Sequence, residues 1–222
     1  IESNWAGLRP LIHEEDKDPS ELSRKDEMFI SESGLISIAG GKLTGYRKMA
    51  ERAVEAVLKT MKHKYKKDLK KSKTKKIPLV SPSLENSFNV EIYQNELEIK
   101  LLELGVSDAY HAWYLCTTYG KQSDIIINKS IDFENKDALE RLIRAELWYG
   151  IYHEMINSLT DFFVRRTGRL YFDILSVKKH MNLILEDCVN LLNWDTKRIA
   201  FEKENLKMFL KDATTYYDKE FE

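Results

Sequence analysis

The sequence predicts a mainly α-helical protein that carries a small α/β portion near its N-terminal end. Three features support this fold class: short apolar strands beside a glycine turn, a lysine-rich stretch, and amphipathic helical stripes through the remaining chain. Of the 222 residues, 43% are hydrophobic, which is enough to bury at least one substantial core. We expect a strand-containing portion over 1–60, a Lys-rich linker over 61–84 and an all-α domain over 85–222.

Two short apolar runs near the start predict a β-hairpin. They are Glu27–Ile30 and Leu35–Ala39, joined by the connector Ser31-Glu-Ser-Gly34. The second run is too short for a helix and is bounded by glycine, so we predict a buried strand. Apolar residues at helical spacing follow Thr44, which predicts a helix with Thr44 as its N-cap.

A glycine turn lies between the second strand and that helix. Gly40 and Gly41 lack a Cβ, so the backbone can turn sharply and approach another group closely. The start of the following helix offers unpaired N–H groups and a partial positive charge, with Lys42 beside it. This arrangement suits a negatively polarised ligand, although most sequences with this pattern have a purely structural turn that joins a strand to a helix.

Nine lysines crowd the stretch from Lys62 to Lys76. Like charges at this density repel one another, which predicts an extended or frayed solvated linker. Contact with anionic lipid is the second interpretation. Binding of nucleic acid is the weakest, because aromatic residues are almost absent and no binding motif adjoins the stretch.

Helical stripes dominate after Pro82. Apolar residues recur at steps of three and four, and the stripes are Val90–Leu104, Tyr110–Thr117, Leu139–Met155, Val177–Leu191 and Ile199–Tyr217. Gly105 and Gly120 end the first two helices, while Ser107 and Asp195 are predicted N-caps of the second and last.

Composition excludes several function classes. The net charge is −1, so no global field recruits nucleic acid, and no apolar run approaches the length of a membrane span. The two cysteines, Cys116 and Cys188, lack metal-ligand spacing and are predicted to be buried, reduced thiols. We predict no metal site, and we interpret all five histidines as structural or solvated.

Several separated motifs, in order, carry a family resemblance. They are Asn4-Trp-Ala-Gly-Leu-Arg-Pro-Leu11, Ser23-Arg-Lys-Asp26, Gly40-Gly-Lys-Leu-Thr-Gly-Tyr-Arg-Lys48, Tyr119-Gly-Lys-Gln-Ser123, Ala145-Glu-Leu-Trp-Tyr149 and Asp161-Phe-Phe-Val-Arg-Arg-Thr-Gly-Arg-Leu170. Together they resemble the FAD-dependent glycerol-3-phosphate dehydrogenases, close to the alpha-glycerophosphate oxidases, over nearly the whole chain. That family holds the FAD pyrophosphate on a Gly-x-Gly-x-x-Gly turn, which this sequence lacks. We therefore expect a C-terminal part of a larger flavoenzyme, inactive alone, in which 1–60 is the remnant of the FAD/substrate domain.

The resemblance also implies site residues. Arg9 would lie nearest the reacting carbon as the catalytic cation, while Arg24, Lys42 and Tyr46 would bind the substrate. Gly40, Gly41, Leu43 and Thr44 would contact FAD. The cluster of Arg165, Arg166 and Arg169 we interpret instead as arginines that satisfy the last carbonyls of a helix.

The implied reaction oxidises sn-glycerol 3-phosphate to dihydroxyacetone phosphate by hydride transfer to FAD. The related oxidases look longer between the motif that ends at Leu11 and the Gly40-Gly41 turn, so by this resemblance the compact spacing here favours quinone over oxygen as the electron acceptor. The general base is expected outside this sequence. A cytoplasmic protein is expected, with peripheral membrane contact and a homodimer left open and no nucleic-acid partner. The alternative function is a helical interaction module that uses Lys62–Lys76 to bind an anionic membrane or another polyanion.

Overall fold

A computed structural model describes residues 1–7, 26–40, 42–79, 81–133 and 137–216. Within these ranges the chain forms one β-hairpin and eight α-helices. The structure divides into two compact units, one of residues 7–79 and one of residues 1–6 with 80–222. The domain boundaries predicted at 60/61 and 84/85 remain predictions. Residues 1–6 pack with the helical unit: Asn4 N–H donates to the carbonyl of Ala213 at 2.9 Å.

The predicted hairpin is present in the smaller unit. Strands β1 (Asp26–Ile30) and β2 (Ile36–Gly40) pair antiparallel, with Met28 opposite Ile38. The turn between them closes with a bond from Gly34 N–H to the Ser31 carbonyl, and Gly34 adopts φ +90°, which favours glycine.

The prediction that the second strand is buried is wrong. Leu35 is 65% exposed and Ile38 is 37% exposed. Helix α1 (Tyr46–Tyr65) is the one α-helix described in this unit, and two strands with one helix cannot cover both sheet faces. Among the described residues of this unit, Ala56 alone is buried.

The second unit, which we call the helical unit, is α-helical as predicted. Its helices are α2 (Ser87–Glu103), α3 (Ala109–Tyr119), α4 (Ser123–Ser130), α5 (Ala138–Glu154), α6 (Arg169–Phe172), α7 (Ile174–Leu192) and α8 (Thr196–Thr214), with a π-helical turn at Asp161–Arg166. The short helices α4 and α6 lie outside the predicted stripes. Asp195 caps α8 as predicted, since its carboxylate accepts from Arg198 N–H. The N-cap of α3 is Asp108, not the predicted Ser107, and its carboxylate accepts from Tyr110 N–H. Asp108 directly precedes the helix, so its side chain can reach the amide of the second helical residue.

Helix α5 joins two hydrophobic cores. One core packs Leu142 and Ala145 of α5 against α2, α3 and α4, and the other packs Ile143 and Leu147 against α7, α8 and the π-helical turn. Cys116 lies in the first core and Cys188 in the second, so both are buried free thiols as predicted. Burial raises the pKa of Cys188 to about 12. Among the described residues, no helix is both long and apolar enough to cross a membrane.

Candidate functional site

The predicted order of strand, glycine turn and helix is present. Strand β2 ends at Gly40, whose φ of +74° strongly favours glycine. Lys42 is extended and leads into a 3-10 turn, Leu43–Gly45, which continues directly into α1. The local sequence therefore redirects the chain from strand to helix within a few residues.

Thr44 is not the N-cap of α1, contrary to the prediction. It lies inside the 3-10 turn, and Gly45 precedes the helix without any side-chain cap. The reason is that Gly45 N–H donates to the Lys42 carbonyl at 2.8 Å, which winds the helix entrance more tightly than an α-helical start.

The turn presents a positively polarised surface. Lys42, Leu43, Thr44 and Tyr46 are all exposed. The first N–H groups of a helical segment have no intrahelical acceptor, so the amides of Leu43 and Thr44 are available to an anion or an electron-rich ring edge. Lys42 adds a full positive charge at the same place.

Three predicted site residues, Arg9, Arg24 and Gly41, lie outside the described residues. Their roles remain predictions. Of the remaining predicted residues, Gly40 ends β2, Lys42, Leu43 and Thr44 lie at the 3-10 turn, and Tyr46 begins α1.

Arg47, which sequence reasoning had not assigned, anchors this turn. Its guanidinium donates to Thr74 Oγ1 at 3.1 Å and also to the backbone carbonyls of Thr74 and Ile77. This contact ties the first turn of α1 to residues 74–77, beside an open cleft of about 390 Å³ that Thr44, Lys48 and Lys75 help to line. In the sequence, the signal that could have pointed to Arg47 was its place in the Arg-Lys pair that ends the glycine motif.

A second polar centre lies inside the helical unit. The carboxylate of Glu146, 2% exposed, accepts hydrogen bonds from the hydroxyls of Tyr114 and Tyr119 on one oxygen. Its other oxygen accepts from the guanidinium of Arg169 at 2.5 Å. Arg169 also lies 3.6 Å from Asp173 and donates to Ser176. We call Tyr114, Tyr119, Glu146 and Arg169 the Glu146 network.

Electrostatics lock the charge states of the Glu146 network. Burial and the charge of Glu146 raise the pKa of Tyr114 and Tyr119 far above their ordinary value, so both hydroxyls stay protonated donors. Burial is the largest single influence on Arg169 and disfavours its charged form, but the charge and hydrogen bond of Glu146, together with Tyr114 and Asp173, outweigh burial and raise the pKa of Arg169. The arrangement binds helices α3, α5 and α6 together and offers no nucleophile.

The interpretation of the arginine cluster as a set of helix-end caps is therefore wrong for Arg169. It holds for Arg166, which donates to the Glu154 carbonyl at 2.8 Å, at the end of α5. Arg165 instead pairs with Asp161 at 2.7 Å. Arg169 begins α6, and its side chain turns inward because buried Glu146 offers a compensating charge.

His180 on α7 is buried beside the same network. Its Nδ1 lies 2.9 Å from the Ser176 carbonyl, which only accepts, so Nδ1 carries the proton of the neutral ring. Burial is the main cause that lowers the pKa of His180, and neighbouring Lys179 adds to it. Among the described residues, no cluster of three or more His, Cys, Asp or Glu side chains could hold a metal ion.

These features define a class of protein: a helical domain attached to a strand–glycine turn–helix unit with a positive surface. Residues 72–199 match the family described as the C-terminal domain of alpha-glycerophosphate oxidase. The match covers more than half of the chain, and the chain belongs to this family.

Curated relatives extend the likeness beyond that domain. The aerobic glycerol-3-phosphate dehydrogenase of Bacillus subtilis (strain 168) is 42% identical over 216 residues, which are 96% of this chain and 39% of the relative. The enzyme of the same name from Staphylococcus haemolyticus is 39% identical over 216 residues, 96% of this chain and 38% of that protein. The chain thus spans about two fifths of the length of these relatives.

A solved structure supports the fold. The glycerol-3-phosphate dehydrogenase of Bacillus halodurans, complexed with FAD, superposes with a TM-score of 0.76 at 34% identity. The superposition covers 99% of this chain and 42% of that one. The resemblance to this family and the predicted fold class, mainly helical with a strand hairpin, are confirmed.

Proposed function

We propose that this chain is the C-terminal part of an FAD-dependent glycerol-3-phosphate dehydrogenase. The observation that carries the proposal is identity of 34–42% over 96% or more of the chain to proteins of that name, one of them solved with FAD. The substrate is sn-glycerol 3-phosphate and the product is dihydroxyacetone phosphate.

The residues at the glycine turn fit a flavin. A flat ring system needs close backbone approach, which the positive φ of Gly40 permits, and amide donors, which Leu43 and Thr44 supply. FAD, when bound, would accept the hydride from C2 of the substrate. Thr44 and its neighbours would then stabilise added negative charge through their N–H groups.

The cations divide into two roles. Lys42, exposed at the turn, and Arg24 would bind the substrate phosphate, with Tyr46 beside them. Arg9 would stabilise the negative charge that develops on the C2 oxygen as its proton leaves. The general base would come from the part of the relatives that this chain does not span.

Three finer features complete the proposal. The isolated chain does not catalyse the reaction, because it spans about two fifths of the relatives' length. Quinone accepts the electrons in the whole enzyme, and the protein is cytoplasmic and associates peripherally with the cytoplasmic face of the membrane. A homodimer remains open.

Steady-state kinetics of the whole flavoenzyme with glycerol 3-phosphate test the site. Arg9→Ala should lower kcat more than it raises KM, because its partner charge exists mainly in the transition state. Arg24→Ala should chiefly raise KM, because the phosphate is a dianion throughout. Lys42→Ala should affect both parameters. Each lost contact should cost about 1.5–3 kcal/mol, roughly one to two powers of ten in kcat/KM.

Lys59→Ala is the matched control, since Lys59 is an exposed cation further along α1. It should leave both constants unchanged. If Arg9, Arg24 and Lys42 variants all behave like Lys59→Ala, the cationic pocket lies elsewhere and the site assignment fails. If the whole protein binds no FAD and does not oxidise glycerol 3-phosphate, the function itself is refuted.

A further inference from the structure

The stretch from Lys62 to Lys76 concentrates positive charge in an otherwise acidic chain. It holds nine lysines and one aspartate, a charge of +8 in a protein whose total is −1, so the remaining residues carry −9. All nine lysines are exposed. Within the described part of the chain, one of them forms an ion pair, Lys62 with Asp68 at 3.3 Å.

Both ends of this stretch, which the sequence predicts to be an extended or frayed linker, are fixed. Helix α1 continues through Lys62 and Lys64 to Tyr65, and Lys66 reverses the chain with φ +55°. At the other end, Arg47 holds Thr74 and Ile77 against the first turn of α1. The stretch therefore starts at one end of α1 and returns to the other.

This return path sets the spacing of the charges. Twenty residues of α1 are about 30 Å long. The eight peptide steps from Lys66 to Thr74 reach at most about 28 Å, and the Arg47 side chain bridges the remaining distance to the first turn of the helix. The lysines are consequently spread along the whole length of the helix instead of being gathered at one point.

Exposed apolar side chains lie among the lysines and directly after them. Tyr65, Leu69, Ile77 and Leu79 are each more than half exposed. A strip that combines unpaired lysines with aliphatic side chains fits the interface of an anionic bilayer, where the ammonium groups meet headgroups and the aliphatic groups enter the acyl boundary.

We infer that residues 62–79 form a docking surface for an anionic lipid bilayer. Nucleic acid fits less well: the stretch contains no arginine for bidentate base or phosphate recognition and a single aromatic ring, Tyr65, for stacking. The inference rests on the proposed peripheral location of the protein at the membrane, but it does not depend on the proposed oxidation of glycerol 3-phosphate.

Vesicle sedimentation with the full 222-residue chain tests the surface. The probes are vesicles of equal parts phosphatidylglycerol and phosphatidylcholine, with pure phosphatidylcholine vesicles for comparison. The chain should sediment with the anionic vesicles only, and raising NaCl from about 0.1 M to about 0.5 M should release it, because salt screens the lysines.

Two charge-matched variants make the test specific. One replaces Lys66, Lys67, Lys70 and Lys71 with Gln, and the other replaces Lys197, Lys203, Lys207 and Lys211, four exposed lysines of α8. Each lysine near an anionic surface strengthens binding about fivefold, so four lost contacts would weaken binding about 600-fold, and the first variant should bind at least roughly 20-fold more weakly even if only two of its four lysines lie at the surface. The α8 variant should stay within about threefold of the unaltered chain.

Three results would overturn the inference. The first is absence of sedimentation with anionic vesicles at about 0.1 M salt. The second is equal weakening in both variants, which would indicate a general charge effect. The third is binding to a short DNA duplex, at the same salt, that is tighter than binding to the vesicles. Failure here leaves the kinetics of the whole enzyme untouched, and loss of that activity leaves vesicle binding untouched, so the two proposals fail separately.

Discussion

Removing the carboxylate of Glu146 should destabilise the helical unit severely. Glu146 is 2% exposed and accepts three hydrogen bonds, two from tyrosines and one from Arg169. In Glu146→Ala, the buried Arg169 keeps its charge, and its nearest remaining carboxylate is Asp173 at 3.6 Å.

The magnitude follows from that unpaired charge. Breaking a buried ion pair by removing one partner costs about 3–5 kcal/mol. Two tyrosine hydroxyls also lose their acceptor, but losses within one network are not additive. We therefore expect about 4 kcal/mol, and a midpoint of thermal unfolding that falls by roughly 10 °C for a unit of this size.

Tryptophan fluorescence during urea unfolding is the suitable assay. All four tryptophans, Trp5, Trp113, Trp148 and Trp194, belong to the helical unit, so the signal does not report the unfolding of residues 7–79. Asp132→Ala is the control. It breaks an exposed pair with Lys129 at 2.9 Å and should cost less than about 1 kcal/mol.

The double variant Glu146→Ala/Arg169→Met separates charge from packing. Removing the cation as well should recover part of the loss, because no uncompensated charge remains buried. If the double variant loses the sum of the two single losses, Glu146 and Arg169 are not coupled. If Glu146→Ala costs less than about 1 kcal/mol, the network contributes no more than a surface pair.

Two further predictions concern a histidine and an anchor. Burial lowers the pKa of His180 in the folded state, so the unfolded state binds more protons in acid. The free energy of unfolding should therefore fall as the pH drops below about 6.5. His180→Gln should flatten that dependence, whereas the control His63→Gln, at an exposed residue of α1, should not. Arg47→Ala should release residues 74–77 from the first turn of α1. Losing a charge-assisted hydrogen bond worth roughly 1.5 kcal/mol should raise the population of the released segment about tenfold, so trypsin should cut after Lys75 and Lys76 about tenfold faster. Lys48→Ala, which loses only the exposed pair with Glu51, should not accelerate cleavage.

Local properties were predictable from the sequence. A stripe of apolar residues at steps of three and four is a property of one helix, so α2, α5, α7 and α8 could be predicted from short windows. The hairpin followed equally from two short runs and a Ser/Gly turn. The glycine turn could be predicted because the positive φ of Gly40 depends on the local change from strand to helix, which neighbouring residues determine.

Burial of the strand could not be predicted, since it depends on what covers the sheet. The apolar run from Leu35 to Ala39 is what a covered strand requires, but the hairpin has one α-helix beside it in the described part of its unit. Likewise, repulsion among the lysines predicts an extended path, and the structure shows no helix or strand from Lys66 to Lys73. Repulsion among the lysines does not predict the contact of Arg47 with Thr74, which fixes the far end of that path and joins residues 27 positions apart in sequence.

The Glu146 network was missed although its signal was present. Tyr119, Glu146 and Arg169 belong to three separate motifs, and they converge because α3, α5 and α6 pack together. Glu146 sits in the apolar stripe of α5, between Ile143 and Leu147, where an acidic side chain must be buried. A buried carboxylate requires a cation and donors from other helices. Arg169, one of three arginines in the motif that ends at Leu170, was a cation to test, because a guanidinium satisfies a carboxylate with several donors at once.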